Sequence, residues 1–446
     1  MSEMNWRRII RLTMVHIGVS ITVVPVTSTL NRIMIADMGM SATLVGILVA
    51  LPYLLSPLQV LVGNWADRRL LWGLRRSPWI LIGGLMAAFG SYFTAHAAYI
   101  LYARPNLGLA LAVIAFVFWG MGVNIASVSY LSLVSDLTEG SEGWRSRAVS
   151  VMWTAMILST ITVSIMLSVM LTPYPNVLNA AGEVAVYNAF GLVWLIASVL
   201  ILFGAARLEP KPDPNIVAHN SADNPVEAYR LLAANPSARR FFVYLLLILI
   251  SIHAQDVLLE PFGADALGMP PAATSRLTAI WGIGVLLTLT VGLYMLRWLG
   301  KKRSAAMGAL VTAVAFGLII VTGLAGSANA FMAAVFLLGL GGGLMTVSNL
   351  SLMLDMTVPQ AAGLYMGAWG VANFAGQALG NIASGLLRDT TLLLTGNRLF
   401  GYAAVFSLEI VGLLISIWLL RRISVTEFRQ DAKVRLQTMP LLLKEL

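Results

Sequence analysis

One apolar stretch of the chain carries His253, Gln255, Asp256 and Glu260 in the run HAQDVLLEP, which ends at Pro261. On a helix, His253, Asp256 and Glu260 are spaced by three and four residues and share one face. Imidazole and carboxylate groups take up protons and pair with cations. Carboxylates within an apolar span are costly, so they face a bundle interior or a watery cavity and find partners there. The partner the sequence offers is Arg32, beside Asn31 near the end of the first apolar run. An internal offset of 229 residues sets Arg32 on Pro261, next to Glu260, so both charges are expected at one depth. Arg32, Asp256 and Glu260 are thus expected to form an intramembrane charge network. It would serve either as an ion pair tying distant segments together or as a ligand- or proton-coupling site.

The other polar residues of the apolar runs are more scattered. His16 and His96 are lone histidines, and a neutral imidazole can ligate the magnesium of a chlorophyll-type ring or simply bond to a neighbouring helix. Gln59, Asn64, Asn124 and Asn349 stand singly, whereas Asn373, Gln377 and Asn381 recur every four residues as one polar stripe. Hydrogen bonding between helices is the expected use of these amides. The small-residue spacings Gly339–Gly343 and Gly376–Gly380–Ser384 read as packing surfaces, because no Lys-Ser/Thr follows to make a phosphate loop. The chain has no cysteine, which excludes disulfides, thiolate metal sites and cysteine nucleophiles. No metal-site, catalytic-triad or nucleotide motif is present, and the expectation is a protein that is not an enzyme.

The elements that must position these groups are membrane helices. Hydrophobic residues make up 58% of the 446, charged residues 11%, and mean hydropathy is +0.82. A soluble chain of this length needs far more charge to coat its surface. Twelve runs long enough to span a bilayer are expected near 9–35, 41–65, 78–101, 107–134, 147–171, 186–206, 240–262, 274–297, 304–325, 330–354, 362–387 and 399–420. The net charge of +9 does not form one nucleic-acid-binding patch. All but five of the 29 Lys and Arg (Arg32, Arg104, Arg276, Arg388 and Arg398) fall in the segments that share a side with the N-terminus. The positive-inside rule makes that side cytoplasmic, together with both termini. Arg7, Arg8 and Arg11 lead into a run too long for a signal-peptide core, so a first transmembrane helix is expected there.

Two stretches nearly repeat. Tyr130–Thr138 reads YLSLVSDLT, and 219 residues later Asn349–Thr357 reads NLSLMLDMT. The same offset maps Gly120 and Gly122 onto Gly339 and Gly341. The chain therefore reads as a duplicated membrane unit. Residues 1–207 would form one six-helix half and 240–420 the other. Between them, 208–239 reads as a proline-bearing cytoplasmic linker. The basic tail 421–446 would either lie on the anionic inner leaflet or be solvated.

After the second helix comes GNWADRR, from Gly63 to Arg69, with Arg75 and Arg76 beyond. This resembles the loop signature of the major facilitator superfamily, whose Gly permits a tight turn and whose Asp pairs with Arg to lock a gating state. The counterpart from Gly292 to Arg303 keeps the Gly and the basic run without the Asp. Asp136 and Asp355 close the fourth and tenth helices at equivalent positions, where a carboxylate can pair across the inner gate with Arg145 or Arg147. The gating set is thus Gly63, Asp67, Arg68, Asp136, Arg145 and Asp355. The expected fold is an all-α membrane protein with the major facilitator fold, twelve transmembrane helices in two pseudo-symmetric halves.

A narrower resemblance rests on QDVLLEPFG at 255–263, LGM at 267–269 and TSRLTA at 274–279. LNRIM at 30–34, RRSPWI at 75–80, Tyr130–Thr138, AGLY at 362–365 and Trp369-Gly370 extend it over both halves. In these the chain resembles the PucC-like, or bacteriochlorophyll delivery, family. Where that family's loop often has Ser before the Asp, Ala66 stands here. The resemblance implies a light-harvesting antenna assembly factor in a photosynthetic membrane, binding or delivering bacteriochlorophyll or a related chlorin. It implies antenna polypeptides, pigment-synthesis proteins and membrane lipids as partners. His16, His253 and Gln255 become candidate pigment contacts. The alternatives are a proton-coupled transporter of a small solute, with Asp256 and Glu260 as proton carriers, and a scaffold that has lost transport.

Overall fold

A computed structural model describes residues 4–58, 70–209, 236–357 and 362–428. Gly63, Asp67 and Arg68, nearly all of the linker 208–239 and most of the tail lie outside the described residues. The helices are α1 Trp6–Asp37, α2 Ala42–Leu54, α3 Ser77–Ala103, α4 Pro105–Leu137, α5 Glu142–Leu171 and α6 Ala180–Ala205. In the second half, α7 is a broken rod made of Pro236–His253, a 3₁₀ turn Ala254–Val257 and Leu259–Leu267. It is followed by α8 Pro271–Leu299, α9 Lys301–Leu324, α10 Ala328–Asp355, α11 Ala362–Thr395 and α12 Arg398–Arg421.

Among the described residues ten helices are long and apolar enough to cross a membrane. The exceptions have separate causes. The described part of α2 is short, and α11, at 34 residues, is diluted in hydropathy by Asn373, Gln377 and Asn381. Several helices start earlier than their apolar runs. α6 begins at Ala180 because the Asn179 side chain accepts the Gly182 N–H, capping a polar first turn.

Packing follows the duplication helix by helix. α3 packs on α4 and α6, α1 on α5 and α6, and α2 on α4. Shifted by six helices, α9 packs on α10 and α12, α7 on α11 and α12, and α8 on α10. The seams between the halves obey the same operation, since α2 lies on α11 and α5 on α8.

The paired glycines explain why the repeat survives. A Cβ on Gly120 would strike Pro52 of α2, and one on Gly339 would strike the backbone of Trp281 on α8. Gly122 meets the Ala87 backbone of α3, and Gly341 meets Thr312 of α9. Each pair therefore lets α4 or α10 touch the equivalent two neighbours at backbone distance.

The polar part of the repeat also works inside each half. Asp136 is 3.5 Å from Arg76 at the start of α3, and Asp355 is 2.7 Å from Lys301 at the start of α9. Arg145 donates to the Thr138 hydroxyl at 3.2 Å, and Arg147 stacks over Trp144. Arg145 and Arg147 thus make contacts of their own, and the gating residues Gly63, Asp67 and Arg68 lie outside the described residues. The carboxylate at the end of α4 faces the start of its packing partner α3, and that contact holds two adjacent helices of one half together.

Candidate functional site

Both helices that should carry the charge network are broken where they approach each other. In α1 the α-helix stops after Ser20 and gives way to π-helical turns at Pro25–Leu30 and Ile33–Asp37. Pro25 has no N–H to donate and crowds the preceding turn. Side chains take over some of the hydrogen bonding, as Thr22 donates to the Val19 carbonyl at 2.7 Å and Thr27 to that of Val23 at 3.1 Å.

In α7 the break has the same cause. Pro261 cannot donate to the carbonyl of Val257, four residues back, and the chain tightens into a 3₁₀ turn there. Asn31 of α1 supplies the missing donor across the seam. Its Nδ2 is 2.7 Å from the Val257 carbonyl and 3.4 Å from that of Asp256.

These breaks wall a central cavity of about 280 Å³, lined by residues of both halves including Thr27, Tyr53, Gln255, Asp256, Glu260 and Trp281. Asp256 is its most polar wall. The Gln255 Nε2 donates to one Asp256 oxygen at 2.7 Å, and His253 Nδ1 lies 2.8 Å from the other. Two of the three candidate pigment contacts, His253 and Gln255, are thus engaged in holding Asp256. Glu260 is 5% exposed and accepts from Thr278 of α8 at 2.9 Å, while Thr278 also lies 3.0 Å from Ser28 of α1.

The predicted pairing of Arg32 with Glu260 does not form. Arg32 is buried, pairs with Asp37 on its own helix and donates to the Met269 carbonyl at 3.1 Å. The π-helical turns after Pro25 change the register of α1, and the 3₁₀ turn does the same for α7. Sequence offset therefore misjudges which groups meet. Arg32 reaches past the cavity to the end of the bundle opposite the N-terminus, whereas Glu260 stays in the cavity wall.

That far end holds a polar cluster the sequence reading had not assembled. Asp265 accepts from Tyr402 at 2.7 Å and pairs with Arg398 at 3.2 Å and Arg388 at 3.6 Å. Asp389 of α11 takes hydrogen bonds from the Ser41 hydroxyl, the Thr43 hydroxyl and the Thr43 N–H at 2.7–2.8 Å. A carboxylate of one half thereby caps the N-terminus of α2 in the other, where the helix dipole favours negative charge. Thr29 with Ser275 at 3.0 Å and Arg276 with Ser168 at 2.6 Å add to the seam. Adjacent Arg388 and Asp389 at a helix end were the visible signal of this latch.

His16 lies between α1, α4 and α5, buried, with Nδ1 2.8 Å from the Tyr130 hydroxyl and Nε2 without a protein partner. That nitrogen has the chemistry of an axial ligand, but it opens neither to the cavity nor to the surface. His96 stacks on Tyr187 with ring centroids 3.8 Å apart. The cavity, at about 280 Å³, is at the small end of ligand pockets, and a tetrapyrrole with a hydrocarbon tail is far larger. Among the described residues no cluster of three or more His, Asp or Glu could hold a metal ion.

Asn124 and Asn349 bond between helices, whereas in the α11 stripe Gln377 donates to Asn373 on the same helix at 2.8 Å. Asn124 donates to the Pro52 carbonyl at 2.8 Å, and Asn349 accepts from Tyr244 at 2.7 Å. Gln59 and Asn64 lie outside the described residues.

Comparison with solved structures identifies the architecture. A bacterial homologue of the human lysosomal transporter Spinster, inward-facing and unoccupied, superposes with a TM-score of 0.71 at 13% identity, covering 96% of this chain and 99% of that one. The nucleoside transporter NupG gives 0.69 at 14% identity, with 94% and 99% covered. At these identities the likeness establishes the fold, which is that of the major facilitators. Among sequences, Protein PucC of Cereibacter sphaeroides is 27% identical over 424 residues, 91% of this chain and 90% of the relative. The bacteriochlorophyll synthase 44.5 kDa chain of Rhodobacter capsulatus is 28% identical over 393 residues, 85% and 86% of the two. The family model described as PUCC protein matches residues 29–428, through the breaks of α1 and α7 and on to the end of α12. The chain is a multi-pass membrane protein and belongs to the PUCC protein family.

Proposed function

We propose that this protein is a light-harvesting antenna assembly factor of a photosynthetic membrane, bringing bacteriochlorophyll or a related chlorin together with antenna polypeptides. The observation that carries this reading is the family match over residues 29–428, which covers both halves and the site between them. The relatives' names support a photosynthetic role, one being a bacteriochlorophyll synthase chain. The small interior favours pigment handled along the lipid-facing surface of the helices, where a tailed chlorin is already soluble, over pigment enclosed in the cavity. The protein would act without catalysis, in an inner or intracytoplasmic membrane, with its basic end and both termini cytoplasmic.

Protein purified in detergent from a pigmented host is expected to carry chlorin absorption, and deletion is expected to lower antenna assembly. A colourless protein together with intact antenna in the deletion strain sinks the proposal.

A second reading is a proton-coupled transporter of a small solute. It is favoured by the cavity itself, which is sized for a small molecule and walled by Asp256 and Glu260. Reconstituted protein moving a solute down a proton gradient, and stopped by Asp256→Asn, would select it. If neither pigment nor solute is handled, a scaffold for antenna subunits remains.

A further inference from the structure

α12 carries one acidic residue in an otherwise apolar length, Glu409. Its side chain is 2% exposed, and neither carboxylate oxygen has a hydrogen-bond partner. Gly412, one turn further along α12, packs against Ser251 of α7. The two helices run in opposite directions, so Glu409 lies about 4.5 Å further toward the far end, level with the 3₁₀ turn Ala254–Val257. α12 touches that turn directly.

An ionised carboxylate buried without a donor is among the most unfavourable groups a protein can hold, and in a membrane it neutralises instead. Among the described residues no basic side chain bonds to Glu409. The elements packed on α12 present Arg239 and Arg240 at the start of α7, and His253, Asp256 and Glu260 further along it. From α11 come Arg388 and Asp389, at the far end with Asp265, and from α9 come Lys301 to Arg303 at the opposite end. His253 is committed to Asp256. The species left is a proton.

Two carboxylates on neighbouring elements in a low dielectric disfavour each other's ionised form. Asp256 is 32% exposed, lines the cavity and is held by Gln255 and His253. Glu409, sealed behind it, takes the proton.

We propose that Glu409 is a buried proton-binding site linked to the central cavity through Asp256. A ligand or conformational change that alters the charge at Asp256 then changes the affinity of Glu409 for its proton. That gives the protein a proton-linked step whichever cargo it handles. The carbonyls of Asp256 and Val257 are the ones Asn31 holds across the seam. Proton occupancy is thereby connected to the Asn31 contact between the halves.

The test is infrared spectroscopy of the purified full-length protein, which needs no ligand. A protonated carboxylic acid has a carbonyl stretch separate from amide and carboxylate bands and shifts in deuterium oxide. We expect such a band at neutral pH, lost in Glu409→Gln, which copies the shape of the neutral acid, and moved in frequency in Glu409→Asp. Asp256→Asn, by removing the neighbouring negative charge, is expected to lose part of the band at a pH where the wild type retains all of it. Absence of the band from the wild type, or its survival unchanged in Glu409→Gln and Glu409→Asp, overturns the site. A band indifferent to Asp256→Asn overturns the link to the cavity.

Discussion

Asn31 illustrates how much a single amide can decide at the residue scale. A buried carbonyl left without a donor costs about 1–3 kcal/mol. Asn31→Leu keeps the volume and removes the donor from the Val257 carbonyl, so it is expected to destabilise the protein by about that amount. Thermal unfolding in detergent, followed by tryptophan fluorescence, should show a lower midpoint. An unchanged midpoint would mean that the broken turn satisfies itself. The same residues mark where sequence reading stops. Pro261, Asn31 and the acids of α7 are all visible in the chain, and Asp256 and Glu260 line one cavity. The partner of Arg32 was misjudged because offset counting assumes unbroken helices, whereas the π and 3₁₀ turns change the register on both sides. Glu409 escaped because one acid in an apolar run has no periodicity. Its meaning comes from burial and missing partners, which only the packing reveals.

At the scale of elements, the repeated glycines make the interhelical distances. A Cβ on Gly122 would meet the backbones of Ala87 and Gly83 on α3, which cannot move aside as a flexible side chain can. Gly317 on α9 has nothing within 4 Å of the same added atom. Gly122→Ala is therefore expected to lower stability by about 1–3 kcal/mol through overpacking. Gly317→Ala is expected to be neutral or stabilising by about 0.4–1 kcal/mol, since it restrains the unfolded chain without a clash. Denaturation of the two variants side by side checks both, and equal effects would mean that helix propensity rather than close approach governs these positions. This level was the most legible in the sequence. The 219-residue offset carried the glycines, Asp136 with Asp355 and Thr138 with Thr357 into equivalent packing positions. For those acids the sequence shows that a carboxylate ends a helix without showing that Arg76 and Lys301 face it.

For the whole molecule, the arrangement of the seams suggests how the halves separate. α2 on α11 and α5 on α8 are exchanged by the internal symmetry, so the halves can rock about the cavity while each keeps its own packing. The hydrogen bonds described between the halves gather at the far end. The most concentrated of them is the grip of Asp389 on the first turn of α2. Asp389→Ala removes three hydrogen bonds to a carboxylate at a helix N-terminus and leaves the helix packing within each half intact. Its effect should therefore fall on the balance between closed and open far ends rather than on the fold. The absence of cysteine makes this measurable, because one cysteine placed at Thr160 in the cavity wall is the only thiol in the chain. A membrane-impermeant thiol reagent applied from the far side of sealed membranes is expected to label Thr160→Cys slowly. Adding Asp389→Ala should raise that rate several-fold, and adding Asn31→Leu should raise it further, because the two contacts close the same end from opposite halves. Labelling that is equally slow in all three proteins would place the closure in the apolar seams, where Gly46 lies against the backbone of Asn381 and Gly385 against that of Ala42. The polar latch would then set the register of the two halves without holding the end shut.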